Sequence, residues 1–369
     1  MSVANSTTAP TGQAKPVLYL HIGHYKTGSS AIQKYLATHS EALKSDGYVY
    51  IASARHGRDG TNHAQLALSI AETHGFIPPA WYTDRVSVDE AFRAFHHEAL
   101  DHPGYKYVVS SEEFIQLALR DDPQRALTDL QARLSDYDVR VVLFVREPLS
   151  LLKSWYNEVN KGKRGTRNFP TFFMNLGWLF LAQERIWQVY AEAFGPDKIM
   201  ARPYKLKGNA HVEDFLFSIG TSHRPSQQVE FVQEAQPLEE LELTRLQKRD
   251  GEDFDDVTVT KAANARRIIE KARKISEAYD RLARRVEGAE PSRLTAVAVI
   301  EHYLELLKPL QQTDLLNPKE ARVLRDLSQG VKRRDSALAD ALARTAEFVG
   351  SGQPRLAGND PDARLKSAN

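Results

Sequence analysis

The chain has 369 residues, of which 42% are hydrophobic and 26% charged, a composition typical of a globular protein long enough for more than one domain. Its 49 lysines and arginines balance 48 aspartates and glutamates, so bulk charge does not indicate nucleic-acid binding. It has no cysteine, which excludes disulfides, iron–sulfur clusters, cysteine-containing zinc sites and thiol nucleophiles. A metal site of carboxylates and histidines stays open.

Residues 1–15 are polar and rich in Ser, Thr, Ala and Pro, which predicts a disordered leader. This segment lacks the basic start and the apolar stretch of a secretory signal, so we expect a cytoplasmic protein. No window approaches the roughly 18 apolar residues of a membrane span, and we expect no transmembrane segment.

Short apolar runs alternate with helical patterns over the first part of the chain. The runs predict five strands, at 17–22, 48–51, 105–109, 139–145 and 198–202. The patterns between them predict helices at 30–43, 89–100, 123–134, 180–194 and 211–219, with another that begins near Pro148. This alternation predicts an α/β fold with a parallel sheet flanked by helices.

From about residue 226 the strand patterns largely disappear and helical patterns continue. Apolar residues from Ile268 to Val286 recur at steps of three and four, and further helices are predicted at 294–310 and 321–349. The sequence therefore predicts four segments, which are a leader at 1–15, an α/β domain at 16–225, a helical C-terminal extension at 226–349 and a flexible tail at 350–369.

The loop after the first predicted strand has the features of a phosphate-binding loop. Gly23 and Gly28 have the spacing of the Walker A glycines, but Ser29 stands where that motif has its lysine, and Lys26 lies earlier. The loop keeps three hydroxyls, those of Thr27, Ser29 and Ser30. A strand, a glycine-containing loop and a helix N-terminus together favour an anion, in a P-loop-like fold, over a plain Gly-Ser turn.

A second candidate segment follows the fourth predicted strand. Arg146 stands at the end of the strand, and Ser154 lies about two turns along the next helix. An arginine and a hydroxyl that converge at the carboxyl edge of the sheet suit a second phosphate. Taken alone, the segment is better explained by an ion pair of Arg146 and a hydrogen bond from Ser154 to a helix carbonyl.

The two segments together resemble the PAPS-dependent sulfotransferase family. The family's first loop has a Lys-x-Gly-[Ser/Thr]-[Ser/Thr] pattern, here Lys26 to Ser30, and its later strand is followed by Arg and then Ser eight residues on, here Arg146 and Ser154. The resemblance covers about residues 16–220 and is greater to bacterial and Golgi glycan sulfotransferases than to the phenol and steroid enzymes. Glu147 departs from the Asp or Asn usual before the proline, and the two serines depart from the commoner Thr pair.

The resemblance implies the donor PAPS (3′-phosphoadenosine 5′-phosphosulfate), the product PAP, and transfer of the sulfuryl group to a hydroxyl. It implies that the first loop, from Lys26 to Ser30, holds the 5′-phosphosulfate, and that Arg146 and Ser154 hold the 3′-phosphate. Lys26 would bond the bridging oxygen on which charge builds. Sulfuryl transfer does not require a metal, and we expect none. The dense acidic run 252–256 reads as a solvated loop.

Two residues compete to be the general base for the acceptor hydroxyl. Glu112 follows the third predicted strand, where Ser110 and Glu113 form a capping-box pattern that leaves Glu112 the freer carboxylate. His63 lies in a loop that enters a short helix, and histidine titrates near neutral pH. We expect one to act as base and the other to orient it, although each has an ordinary structural explanation.

The acceptor expected from the resemblance is a glycan or glycolipid. Basic residues beyond the Arg146 segment either belong to a solvated loop, which is the simpler explanation, or suit an anionic acceptor; they are Lys153, Lys161, Lys163, Arg164 and Arg167. Three aromatic residues among them either stack on sugars or belong to the core; they are Trp155, Tyr156 and Phe169. Two alternatives remain, a divergent small-molecule kinase that uses Lys26 on ATP and a non-catalytic nucleotide-binding scaffold. The sequence leaves the oligomeric state open.

Overall fold

The structure is a computed structural model, and it describes residues 14–57, 60–162, 166–205, 208–225, 237–248, 262–312 and 318–351. Residues 1–13 of the predicted leader, the acidic run 252–256 and the tail beyond residue 351 lie outside the described residues. The chain forms two compact units. The first comprises Met1–Val145, Arg185–Val232 and Val286–Gly288, and the second Arg146–Glu184, Gln233–Arg285 and Ala289–Asn369.

The first unit is built on a five-stranded sheet. Its strands are β1 (Val17–His21), β2 (Tyr48–Tyr50), β3 (Lys106–Ser110), β4 (Asp138–Val145) and β5 (Ile199–Pro203). They lie in the order β2-β3-β1-β4-β5, and every neighbouring pair is parallel. In the centre, Leu20 of β1 is opposite Val109 on one side and Val141 on the other. The predicted α/β fold with a parallel sheet is confirmed.

The described helices are, in chain order, α1 (Ser29–Thr38), α2 (Ser40–Ser45), α3 (Ala64–Thr73), α4 (Val88–Leu100), α5 (Ile115–Ala118), α6 (Pro123–Arg133), α7 (Pro148–Lys161), α8 (Phe169–Asn175), α9 (Trp178–Leu181), α10 (Gln183–Phe194), α11 (Ala210–Ile219), α12 (Leu238–Gln247), α13 (Ala262–Ala283), α14 (Ala296–Leu307), α15 (Pro318–Val331) and α16 (Ser336–Gly350). Short 3₁₀ segments lie at Glu112–Phe114, Pro196–Lys198 and Lys308–Gln312.

Local sequence explains where several of these helices begin. Ser87 and Glu90 form a complete capping box at α4, so two of its unpaired N–H groups are satisfied. At α6 the Asp122 carboxylate accepts from the third residue of the helix, and Pro123 occupies the first position, where it loses no hydrogen bond. These starts are readable from the sequence because each depends on neighbouring residues only.

Helices α1 and α11 cover one face of the sheet. Their apolar side chains pack with strand residues in a buried cluster that contains Tyr19, Ile32, Tyr35, Leu36, Val108, Phe144, Val212, Phe215 and Leu216. The strands β1 and β4 read as nearly continuous apolar runs because a parallel sheet is covered on both faces.

The carboxyl end of β1 occupies a special place in this sheet. The chain leaves β1 toward β2 at one edge and leaves β4 toward β5 at the other, while β1 and β4 are neighbours. Loops that leave adjacent strands in opposite directions make the crevice in which open α/β sheets bind ligands. The predicted phosphate-binding loop follows β1 directly and so starts at this point.

The division into units differs from the predicted boundaries. The sequence assigned residues 16–225 to one α/β domain, whereas 146–184 group with the C-terminal helices. The reason is packing, because apolar residues of this segment share a buried cluster with α13, α14 and α16. Its members include Leu151, Leu152, Tyr156, Phe169, Phe173, Ile268, Ile275, Val299, Tyr303 and Leu342.

Three predicted helices are interrupted. The stretch 30–43 is divided between α1 and α2 at His39, and 180–194 between α9 and α10 at Ala182. The stretch 321–349 is divided between α15 and α16, because the Asp335 carboxylate accepts from Leu338 N–H and begins a new helix. Apolar periodicity continues across these breaks, which is why it did not reveal them.

Candidate active site

The turn from β1 into α1 is built on three residues with positive φ. The angle is 50° at Gly23, 63° at Lys26 and 82° at Gly28. Glycine adopts this left-handed region without steric cost, whereas Lys26 carries a Cβ and is strained there. Strained residues of this kind cluster at ligand-binding sites, and turns through the left-handed region direct successive N–H groups toward one point.

The loop is closed by its own hydrogen bonds. His24 N–H donates to Thr27 Oγ1 at 3.1 Å, and the Thr27 hydroxyl donates to the His24 carbonyl oxygen at 2.6 Å. Because Thr27 is fully buried, its hydroxyl stabilises the loop. Any contribution of Thr27 to anion binding would then come from its backbone N–H rather than from the predicted hydroxyl.

Helix α1 begins without a capping side chain. Its N-cap is Gly28 in the left-handed conformation, no side chain of the described residues bonds to its first turn, and that turn contains no acid. The first N–H groups of a helix have no partner within the helix, and they carry a partial positive charge. An uncapped N-terminus at the carboxyl edge of a parallel sheet is a ready site for phosphate or sulfate.

Buried polar atoms without hydrogen-bond partners among the described residues lie at the same loop. They are Ser29 Oγ, His21 Nε2 and both ring nitrogens of His211, on side chains no more than 5% exposed. A Cβ added at Gly23 would lie 2.5 Å from Ser29 Oγ and 3.5 Å from His21 Nε2. Buried polar atoms are nearly always paired, because an unpaired one costs about 1–3 kcal/mol. The cluster therefore suits a bound polar ligand.

Glu112 lies beside the start of the loop. Its Cβ is 3.6 Å from the place that a Cβ would take at Gly23. Its Oε2 accepts from Gln33 Nε2 at 2.8 Å and from Asn62 Nδ2 at 3.2 Å. The two amides hold the carboxylate in a fixed orientation, and both contact the same oxygen. Of the two predicted bases, Glu112 is the one that the structure places next to the loop.

Glu113 is buried and bonds to the loop. Its Oε2 accepts a short hydrogen bond from the Tyr25 hydroxyl, which in turn accepts from Gln116 Nε2 at 2.9 Å. The pKa of Glu113 is raised to about 7, chiefly by burial; the Tyr25 bond opposes this rise and the charge of Glu112 adds to it. This pair fixes the residue directly before Lys26.

The predicted capping box of Ser110 and Glu113 is wrong. Ser111 is the N-cap of the 3₁₀ segment, and its hydroxyl accepts from Glu113 N–H. Ser110 ends β3 and its Oγ bonds to His21 Nδ1 at 2.7 Å. The strand continues one residue further than predicted, so the cap moves by one position.

His63 is fully buried and both of its ring nitrogens bond to backbone. Nε2 donates to the Ile51 carbonyl at 2.8 Å, and Nδ1 accepts from Ser110 N–H at 3.1 Å. Burial, aided by the positive charge of Arg55, lowers the pKa of His63 to about 3. A ring so engaged has no nitrogen available for an acceptor hydroxyl, so this environment favours a structural role over the predicted catalytic one.

The predicted 3′-phosphate residues belong to the second unit. Arg146 N–H donates to Gln183 Oε1 at 2.8 Å, Gln183 Nε2 donates back to the Arg146 carbonyl at 2.6 Å, and Ser154 lies partly exposed in α7. Glu147, the departure from the family pattern, accepts from Leu149 and Ser150 N–H and so caps α7. The binding roles of Arg146 and Ser154 stay predictions.

The basic and aromatic residues after Arg146 are mostly accounted for by the second unit itself. Lys153 lies 3.7 Å from Glu305 and Lys161 3.3 Å from Glu158, while 163–165 are outside the described residues. Tyr156 and Phe169 are fully buried core residues rather than sugar platforms, whereas Trp155 is partly exposed against Phe180.

Comparison with known proteins gives no family assignment, since no protein-family model, no curated protein and no solved structure matches the chain. Among the described helices, none is both long and apolar enough to cross a bilayer. The part of the chain that the structure describes also holds no group of three or more His, Asp or Glu side chains placed to bind a metal ion.

His63 makes the stability of the fold depend on pH. The folded pKa is about 3 and the unfolded value about 6.5, so its contribution is complete above pH 6.5 and is lost as pH falls toward 3. We compare the unfolding free energy of wild type with that of His63→Gln. We expect the difference between the two proteins to be about 1 kcal/mol smaller at pH 5.5 than at pH 7. Urea unfolding measures this. As the control, the difference in unfolding free energy between wild type and variant should stay constant between pH 7.5 and 8.5. If it also stayed constant down to pH 5.5, His63 would not be buried in its neutral form.

Gly28→Ala tests the close approach of α11 to the loop. The added Cβ would lie 2.4 Å from His211 Cδ2, which is a steric clash. The positive φ of this position adds a cost of about 1–2 kcal/mol for any residue with a Cβ. Gly47→Ala is the matched control, because its φ of 85° is nearly the same and its Cβ would meet nothing within 4 Å. We expect a larger loss of unfolding free energy at position 28, and equal losses would show that His211 moves aside freely.

Proposed function

We propose that the chain is a PAPS-dependent sulfotransferase that transfers the sulfuryl group to a hydroxyl of a glycan or glycolipid. The observation that carries the proposal is the loop between β1 and α1, where an uncapped helix N-terminus and buried unpaired polar atoms adjoin the oriented carboxylate of Glu112. An anion site beside a candidate base is what transfer from an anionic donor to a hydroxyl needs.

The position of the lysine favours sulfuryl transfer over the kinase alternative. Ser29 occupies the Walker A lysine position at the start of α1, and Lys26 lies on the strained turn before it. The first-turn N–H groups of α1 would hold the 5′-phosphate. Lys26 would donate to the oxygen that bridges phosphorus and sulfur, where negative charge grows as the bond breaks.

The proposed reaction is a direct displacement. The acceptor oxygen attacks sulfur, the bond from sulfur to the bridging oxygen breaks, and that oxygen leaves on PAP. The acceptor proton passes to Glu112, and we assign this to Oε1 because the two orienting amides both contact Oε2. A positioned carboxylate base contributes typically 10²–10⁴-fold, roughly, to such a step.

The rest of the proposal comes from the resemblance. Arg146 and Ser154 are proposed to bind the 3′-phosphate, which distinguishes PAPS from ATP. The acceptor class, its anionic character and a cytoplasmic location are proposed with them. The five basic residues between Lys153 and Arg167 remain candidates for contact with an anionic acceptor.

Calorimetry tests the donor. We expect PAP to bind more tightly than ATP with magnesium, and Arg146→Ala to weaken PAP binding about 10- to 100-fold through loss of a charge-assisted contact. Adenosine 5′-phosphosulfate, which lacks the 3′-phosphate, should be affected little. Lys26→Ala should spare PAP, because its proposed partner is the sulfate bridge.

The matched control is Arg140→Ala, an arginine of β4 paired with Asp138 at 3.2 Å. A preference for ATP with magnesium would establish the kinase alternative instead. Binding of PAP without sulfate transfer to any acceptor would support the scaffold alternative, and binding of neither nucleotide would refute the proposed donor. Equal losses of both adenosine ligands in Arg146→Ala would refute the 3′-phosphate assignment.

Glu112→Gln tests the base. With a panel of hydroxyl-bearing glycans and labelled PAPS, we expect the rate of sulfate transfer to fall about 10²–10⁴-fold while PAP affinity stays within about twofold of wild type. Glu41→Gln, an exposed carboxylate at the start of α2, is the control and should transfer at the wild-type rate. An unchanged transfer rate in Glu112→Gln would remove it from the mechanism.

A further inference from the structure

A histidine from outside the sequence motifs reaches the start of α1. His211 is the second residue of α11, in the same unit as the loop, and it is only 3% exposed. A Cβ at Gly28 would lie 2.4 Å from its Cδ2 and 2.8 Å from its Nε2. The Nε2 edge of the ring therefore faces the N-cap residue of α1.

The ring is buried without hydrogen bonds among the described residues. Neither Nδ1 nor Nε2 has a hydrogen-bond partner in the described part of the chain, although an imidazole presents at least one donor at any pH. The groups around it do not meet this need, since Tyr204 packs its ring against His211 at a centroid distance of 5.6 Å, and Lys205 forms an ion pair with Asp214. Burial lowers the pKa of His211, while the charge of Asp214 opposes this.

Two independent features thus point to the same ligand. The uncapped N-terminus of α1 favours an anion, and an anion also supplies the acceptor that a buried imidazole N–H lacks. If the ring at position 211 served only to pack closely against Gly28, an apolar ring would be sufficient. A histidine at this contact instead provides a donor directed at the helix end.

We propose that His211 is a ligand of the phosphate or sulfate group that binds at the N-terminus of α1, donating from Nε2 to an anion oxygen. The proposal rests on the proposed function only for the identity of the anion, because the same contact would serve any phosphate ester or phosphosulfate. The bound anion in turn stabilises the buried ring. His211 is therefore a binding residue and not the base.

The test combines imidazole ¹⁵N NMR with calorimetry, and inorganic pyrophosphate and PAP are the two probes. The His211 resonances are assigned by their loss in His211→Gln. We expect saturating pyrophosphate to shift the Nε2 resonance toward that of a hydrogen-bonded donor. His211→Phe keeps an aromatic ring but removes the donor, and it should weaken the binding of pyrophosphate and PAP about 10- to 100-fold. His211→Gln, which keeps an N–H, should lose less.

The control is His96→Phe, a half-buried histidine of the same unit whose Nδ1 bonds to the Tyr137 hydroxyl at 3.0 Å. It should bind both probes like wild type. Circular dichroism and urea unfolding establish that each variant is folded at the temperature of the binding experiment.

The outcomes separate this proposal from the proposed function. Equal affinity of wild type and His211→Phe for both probes would overturn the assignment while leaving a PAP-binding enzyme in place. A His211-dependent affinity for pyrophosphate, without affinity for PAP, would overturn the proposed donor and keep the assignment of His211. The assignment of His211 would also be overturned if wild type bound neither pyrophosphate nor PAP, or if the His211 resonance did not shift at saturation.

Discussion

The first N–H groups of α1 are satisfied by no side chain of the described residues, and the α/β unit is arranged around this helix end. The sheet order places it at the carboxyl end of the central strand. The preceding loop reaches it through two glycines and a strained lysine, and α11 packs a histidine on it. A capped helix could start almost anywhere on a surface, whereas an uncapped and buried one needs a partner of opposite charge.

The groups around that helix end divide into those that build the site and those available for chemistry. His63 fastens β3 to the segment after β2 through two backbone bonds, and Glu113 holds Tyr25 at the turn. Glu112 differs from both because it is only partly buried, and two side-chain amides contact one of its oxygens. The backbone bonds of His63 stabilise the fold, whereas the amides of Gln33 and Asn62 orient the Glu112 carboxylate and leave its Oε1 for a substrate.

Sequence reasoning predicted the fold class, the five strands to within about one residue at every end, and a loop that joins β1 to the helix α1, since each depends on local patterns. Anion binding by that loop stays a prediction. Sequence reasoning could not foresee that 146–184 pack with the C-terminal helices, because an apolar pattern does not specify which element it packs against. It named His63 and Glu112 as joint candidates for the base, His63 in part for its titration range, and could not see that His63 is buried, because burial is a property of the fold. His211 carries no motif, and only the packing of α11 on α1 brings it to Gly28. The one signal was a histidine in the first turn of α11.

The contact between Gly28 and His211 also constrains how this chain can change over time. The two positions are far apart in sequence, yet a side chain at 28 occupies the space of the ring at 211. Substitutions at the two positions are therefore expected to be coupled, and a descendant that replaced the glycine would need a smaller residue on α11 in compensation. In related chains, glycine at the first position should accompany a bulky residue at the second, and the pair would vary together rather than independently.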